Sequence, residues 1–265
     1  MIKRSPVLKI GLVQMRCEKG AVAENLESLS RYLTEAEKRG IDIIGFPEAN
    51  ITGYHEPKRY PDAVLSLEGS EVATLLKMTE AKKLTVLAGI IEKNSVRHPF
   101  TTHIVARSGK LTGYYRKITM VDDDNEWFSP GSEIPVFSHD SLTFGIAICS
   151  DIGNEEIFKE LARRGARIVF ELAAPGLYGE QATRNWRSGY EWWEGECLKY
   201  LPGYAKKYGI WIVVATQAGR TVDEDFPGGG YVFSPDGNRV YATTDWLPGA
   251  TYIELDLETY RVVEL

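Results

Sequence analysis

Between Lys9 and Ile91 the chain alternates short apolar runs with amphipathic stripes, and few architectures accommodate that rhythm. Lys9 to Met15 reads as a strand. Val22, Leu26, Leu29, Leu33 and Ala36 then recur at steps of four and three, which puts one apolar stripe on a helix. Gly40 stands where such a helix should stop. Ile41 to Phe46 reads as a buried strand, Val72, Leu75, Leu76 and Thr79 predict a second helix, and Leu84 to Ile91 a further strand. The resulting β-α-β-α-β order calls for helices layered on a sheet.

The rhythm then changes. Thr101 to Ala106 and Leu111 to Tyr115 flank Ser108-Gly109-Lys110, a hairpin signal. Val136 to Ser138 and Leu142 to Cys149 form another strand pair around His139-Asp140-Ser141. Asn154 is placed to cap a helix carrying Ile157, Phe158, Leu161 and Ala162 that ends near Gly165. Arg167 to Leu172 returns as a strand. Arg184 to Tyr208 is expected to be mostly helical, with interruptions at Gly189, Gly195, Pro202 and Gly203. Strands follow at Ile210 to Thr216, at Tyr231 to Phe233 and Arg239 to Ala242 around the turn Ser234-Pro235-Asp236-Gly237-Asn238, and at Tyr252 to Leu257. With no linker, composition shift or internal repeat, residues 1–265 read as one mixed α/β domain.

Composition narrows the function classes. The net charge is −6 and no basic stripe occurs, which argues against a nucleic-acid partner. Three scattered cysteines, Cys17, Cys149 and Cys197, make no disulfide framework, and no CxxC pair suggests zinc. Lys9, Gln14 and Arg16 break the apolar stretch behind the charged N-terminus, so it does not read as a signal peptide. Nothing approaches the ~20-residue apolar run of a membrane span. The expectation is a reduced, cytoplasmic, globular protein.

Three apolar runs each end at a chemically capable side chain. Ile41 to Phe46 leads to Glu48, Leu111 to Tyr115 to Lys117, and Leu142 to Ile148 to Cys149. A carboxylate, an ammonium and a thiol together suit acyl chemistry without histidine. A free thiol is only a few per cent ionised at neutral pH. A helix N-terminus and a cation near Cys149 would both favour its charged form.

These residues resemble the motifs of the nitrilase superfamily, the carbon–nitrogen hydrolases. Gly45-Phe46-Pro47-Glu48 with Thr52-Gly53-Tyr54 is similar to the glutamate motif, Gly113-Tyr114-Tyr115-Arg116-Lys117 to the lysine motif, and Cys149-Ser150-Asp151 with Glu156 to the cysteine motif. Likeness extends from Gln14 and Asn25 to Pro235-Asp236-Gly237, nearly the whole chain. The resemblance implies a four-layer α-β-β-α sandwich of two mixed β-sheets flanked by helices. It implies no cofactor and no metal, and a homodimer or larger homo-oligomer.

It also implies roles. Glu48 acts as general base and then acid, Cys149 as nucleophile, and Lys117 stabilises the oxyanion with the backbone N–H of Ser150. Glu126 is the best match for a second glutamate that orients the lysine, though its spacing to Phe128-Ser-Pro-Gly131 is short. Tyr54, Trp127 and Tyr178 are the candidate substrate-binding residues. Asp122-Asp123-Asp124 reads as a solvated acidic loop rather than a metal site. Tyr178, Trp186, Tyr190, Trp192 and Trp193 suit core or interface packing, or else a substrate wall.

There are departures as well. Ser150, Gly153, Asn154 and Glu155 stand where the family often has an aromatic, an arginine, an aromatic and a proline, and no arginine follows Cys149 before Arg163. Carboxylate-bearing N-carbamoyl amino acids therefore lose weight as substrates, although Arg184 or Arg187 could serve from the next loop. The expected activity is hydrolysis of a small linear amide through an acyl-thioester, releasing ammonia or an amine. The alternatives are a nitrilase using the same residues and a catalytically silent metabolite- or partner-binding member.

Overall fold

The computed structural model describes residues 7–177, 179–243 and 247–265. The first part runs β1 (Val7–Gln14), α1 (Val22–Lys38), β2 (Ile43–Gly45), α2 (Ser70–Thr79), β3 (Thr85–Glu92), β4 (Phe100–Arg107) and β5 (Lys110–Arg116). A single helical turn, α3 (Asp124–Trp127), leads to β6 (Phe137–His139) and β7 (Leu142–Ile148). A 3-10 turn over Cys149–Gly153 then joins β7 to α4 (Glu155–Arg163). There follow β8 (Ile168–Ala173), α5 (Trp186–Tyr208), β9 (Trp211–Thr216), β10 (Ala218–Arg220) and β11 (Asp225–Pro227). The last strands are β12 (Gly230–Phe233), β13 (Arg239–Ala242), β14 (Gly249–Asp256) and β15 (Val262–Glu264).

Two large sheets result, with strand orders β15-β14-β1-β2-β3-β4-β5 and β13-β12-β9-β8-β7-β6. In each, three central strands are parallel (β1, β2, β3 and β7, β8, β9) and their flanking strands antiparallel. Alternation along the strands gives each sheet two apolar faces. Ile10, Leu12, Ile43 and Leu87 of the first sheet meet Phe144, Ile146, Phe170 and Val213 of the second in one buried core. Leu29 and Leu33 of α1 and Leu75 of α2 cover the outer face of the first sheet through Ile44, Val86 and Ile90. Phe158 of α4 with Trp193, Cys197 and Leu201 of α5 cover the second sheet through Val169 and Val214. This is the expected four-layer α-β-β-α sandwich.

Local expectations held less evenly. Helix α5 runs unbroken for 23 residues through all the expected interruptions. Gly189, Trp193, Cys197, Leu201 and Ala205, spaced by four, are all buried on one stripe, and that burial outweighs the cost of Pro202. Gly189 contributes by its lack of a side chain, since a Cβ there would lie 2.3 Å from Leu177. Asn154 precedes α4 but does not cap it with its side chain, which instead donates to Thr119 Oγ1 at 3.2 Å. The β10–β11 ribbon and β15 have no counterpart in the sequence reading; each strand is three residues, too short for a period to register.

Candidate active site

The three chemically capable residues converge at the carboxyl ends of their strands, where the sheets face each other. Glu48 follows β2 on a turn packed hard against β3. A Cβ on Gly89 would sit 2.3 Å from the Ala49 nitrogen, so glycine is what lets the turn approach. Asn50 Oδ1 accepts from Gly89 N at 2.7 Å, and Ile51 N donates to Gly89 O at 3.0 Å. Beneath the turn, buried His103 donates from Nε2 to Phe46 O at 3.1 Å. Burial lowers the pKa of that imidazole to about 4, so it is a neutral prop.

Lys117 is fixed from both sides, donating its N–H to Thr101 O at 2.9 Å and accepting from Gly131 N at 2.7 Å. Its Nζ lies 3.0 Å from Glu48 Oε1 and 2.6 Å from Asp124 Oδ2. Glu48 is 0% exposed, Lys117 2% and Asp124 2%, so the three charges share one dry site. Tyr54 donates its hydroxyl to the other Asp124 oxygen. The other Glu48 oxygen accepts from Ala174 N at 3.2 Å.

Cys149 follows β7 with φ +49°, a left-handed conformation that a cysteine rarely adopts and that the surroundings must hold. Asp151 supplies much of that hold. Its carboxylate accepts from Ile148 N at 3.0 Å, Thr119 N at 2.8 Å and the Tyr115 hydroxyl at 2.8 Å, tying the elbow to the lysine strand. Ser150 Oγ donates to Thr119 O at 2.6 Å.

The electrostatics differ from the expectation for the thiol. Burial, then Glu48, push the Cys149 thiol's pKa up, opposed by Lys117. Burial also raises Glu48, opposed by Lys117, and this makes it a stronger proton acceptor than an exposed glutamate. Burial works against charge on Lys117, but Glu48, Cys149 and Asp124 hold its pKa well above the ordinary value. Glu48 is within hydrogen-bonding reach of the thiol, and the Lys117 ammonium lies beside it.

Glu126 does not orient the lysine. It is exposed, and Asp124, two residues earlier and the first residue of α3, is buried on Lys117 instead. Asp124 stands two residues further from Phe128 than Glu126 does, which lengthens the spacing that was short in the sequence. The acidic run thus divides, with Asp122 and Asp123 exposed and Asp124 buried in the ion pair.

A cavity of about 770 Å³ opens over the three residues, with Tyr54 and Trp127 on its wall. Trp192 and Trp193 line it too, whereas Trp186 is exposed and Tyr190 donates to Thr243 O at 2.6 Å. Tyr178 lies outside the described residues. Another cavity, about 650 Å³ along α1, contains no thiol. Among the described residues no group of three His, Cys, Asp or Glu is arranged to hold a metal ion.

Sequence reasoning gave no role to Asp124, Asp151 or Glu171. Glu171 lies on β8 opposite Ala147 and Val214, and its two carboxyl oxygens are buried without a hydrogen-bond partner. A lone acid in the otherwise apolar run Ile168–Ala173 was the available signal.

The family model described as Carbon-nitrogen hydrolase matches residues 9–264. The glutamine-dependent NAD(+) synthetase of Acinetobacter baylyi is 25% identical over 258 residues, covering 96% of this chain and 45% of the synthetase. The chain spans just under half the length of the curated synthetases of this kind that it matches. An omega-amidase of Bos taurus is 26% identical over 196 residues, covering 70% of this chain and 67% of the amidase. Among solved structures, an amidase from Nesterenkonia sp. has the same fold, with a TM-score of 0.79 at 21% identity over 97% of this chain and 93% of that one. With the family model matched across nearly its whole length, the chain belongs to the carbon–nitrogen hydrolase family.

Proposed function

We propose that this protein hydrolyses the carbon–nitrogen bond of a small linear amide through an acyl-thioester on Cys149. The observation that carries the reading is the Glu48–Lys117–Asp124 cluster beside the Cys149 thiol in an open cavity. As Sγ attacks the amide carbon, Glu48 takes the thiol proton. The developing oxyanion is held by the Lys117 ammonium and the backbone N–H of Ser150. Glu48 returns the proton to the leaving nitrogen, ammonia or an amine departs, and the acyl group remains as a thioester. Water, deprotonated by Glu48, then attacks that thioester and releases the acid. Asp124 keeps the ammonium directed at the oxyanion throughout.

The test is ammonia release from aliphatic amides, glutamine, N-carbamoyl compounds and nitriles, with Cys149→Ala in parallel. Amide turnover that disappears in the variant is the expected result. Turnover of nitriles alone would replace the amide reading. Turnover that survives in the variant would overturn the thiol mechanism, and none by the wild type would favour a silent binding member.

A further inference from the structure

The charged side chains lining the cavity are paired or open to water, and what they leave uncovered is ring and aliphatic surface. Lys117 is shared between Glu48 and Asp124. Glu224 Oε2 lies 2.9 Å from Lys19 Nζ, which also lies 2.7 Å from Asp223 Oδ1. Glu196 Oε2 lies 3.7 Å from Lys199 Nζ, and that ammonium stands 4.7 Å from the Tyr200 ring centroid. Asp122 has an interaction of its own, and Asp123 is exposed. No arginine or histidine is among the described lining residues. A substrate carboxylate would find no free cation here, and a substrate ammonium would find only acids already paired or in water.

Large apolar side chains at the same cavity remain uncovered. Trp192 and Val121 are each 44% exposed, and Trp127 is half-buried. They come from two separate segments, Trp192 from α5, and Val121 with Trp127 from the stretch that carries Asp124. Both segments are braced. Trp193 donates from Nε1 to Thr216 Oγ1 at 2.8 Å, and its ring centroid lies 6.0 Å from that of Trp192. Tyr54, whose hydroxyl binds Asp124, packs beside Trp127 with ring centroids 6.2 Å apart. The acid that holds Lys117 therefore also helps hold the ring wall. A volume of about 770 Å³ is in the range that encloses a drug-sized ligand, more than an acetyl group fills.

We infer that the acyl part of the amide is uncharged and apolar, with the bulk of a phenylalkyl group, and seats against Trp192, Trp127 and Val121. This rests on the amide-hydrolase reading above and deepens it by naming the class of acyl group. Seating a ring there takes apolar surface out of water on both the substrate and the protein.

Four linear amides test it: 3-phenylpropanamide, propanamide, 5-aminopentanamide and glutaramic acid. Binding is read by calorimetry on the Cys149→Ala protein, so that preference is measured independently of turnover. The ring amide should bind about 10- to 100-fold more tightly than propanamide, and added salt should not weaken it. The two charged amides should bind no more tightly than propanamide. Trp192→Ala should weaken 3-phenylpropanamide by about tenfold and propanamide far less. Trp186→Ala, at an exposed position of the same helix that does not line the cavity, should leave the ring preference unchanged. In the wild-type background Trp192→Ala should raise KM for 3-phenylpropanamide far more than it lowers kcat. No preference for the ring amide, or tighter binding of either charged amide, would overturn the inference. A Trp192→Ala protein that changes oligomeric state yet keeps the ring preference would overturn it too, by assigning that ring to a subunit contact. Ammonia release from any of the four amides would leave the hydrolase reading standing in both cases. Ring-selective binding without ammonia release from any amide would sink the hydrolase reading instead.

Discussion

At the scale of single residues, Asp124 and Glu171 show how far a residue's neighbours decide what it does. Asp124 and Glu126 are both acids within one helical turn, and only the burial of one on Lys117 separates their functions. Asp124→Asn should cost about 100-fold in kcat, because the ammonium loses a charged partner and its aim. Asp124→Glu should recover part of that loss, whereas Glu126→Gln should stay within about twofold of the wild type. Initial rates of the three variants on one amide decide this, and a slow Glu126→Gln with a normal Asp124→Asn would reverse the assignment. Glu171 gives a pH prediction. Burial, with Asp151 and Glu48 nearby, raises its pKa well above the usual carboxylate value. An unfolded glutamate loses its proton near pH ~4.3. Above that pH, up to its raised native value, the native state binds a proton that the unfolded chain has released, and stability falls as pH rises. Glu171→Gln removes that loss, so its Tm relative to the wild type should rise as pH is raised from about pH 4 toward neutrality. A difference that stays flat or shrinks over that range would contradict a neutral Glu171. Glu48, Lys117 and Cys149 were legible in sequence because each ends an apolar run. Asp124 was not, since nothing in three consecutive aspartates marks which one the loop turns inward.

Elements place these residues by close approach as much as by hydrogen bonding. The Glu48 turn lies on β3 at Gly89, and the smallest added side chain would enter the Ala49 backbone. Gly89→Ala should therefore destabilise the fold by about 1–3 kcal/mol. In whatever fraction remains folded it should lower kcat, since the backbone that must give way carries Glu48. Denaturant titration together with activity per folded molecule measures both effects, and normal activity with normal stability would show that the turn is not held there. The strand ends, the order of α1, α2 and α4 and the hairpin of β4 with β5 followed from periodicity. The continuity of α5 did not, because propensity counts Gly189, Gly195 and Pro202 against a helix and is silent about the buried stripe they accompany.

At the scale of the whole molecule, the two sheets share a single core, so neither loses its packing alone. Phe170 is fully buried there, its ring 5.8 Å from that of Phe144 at an interplanar angle of 78°. Phe170→Ala should cost about 3–5 kcal/mol. Far- and near-ultraviolet circular dichroism should shift to lower denaturant together, and two separated transitions would show that the sheets unfold independently. The sequence reading found no internal repeat, yet both sheets are built on three parallel strands with antiparallel neighbours. A shared strand order leaves no mark in sequence when the side chains that fill it differ. What the sequence determined by itself was local in origin: apolar runs set the strands, stripes set the helices, and the residue ending each run marked the thiol, the ammonium and the carboxylate. Only the tertiary structure decided which aspartate holds the lysine and in which direction burial and Glu48 move the Cys149 pKa. Each of these depends on desolvation and on charges brought together from distant parts of the chain, and both quantities exist only once the two sheets have closed.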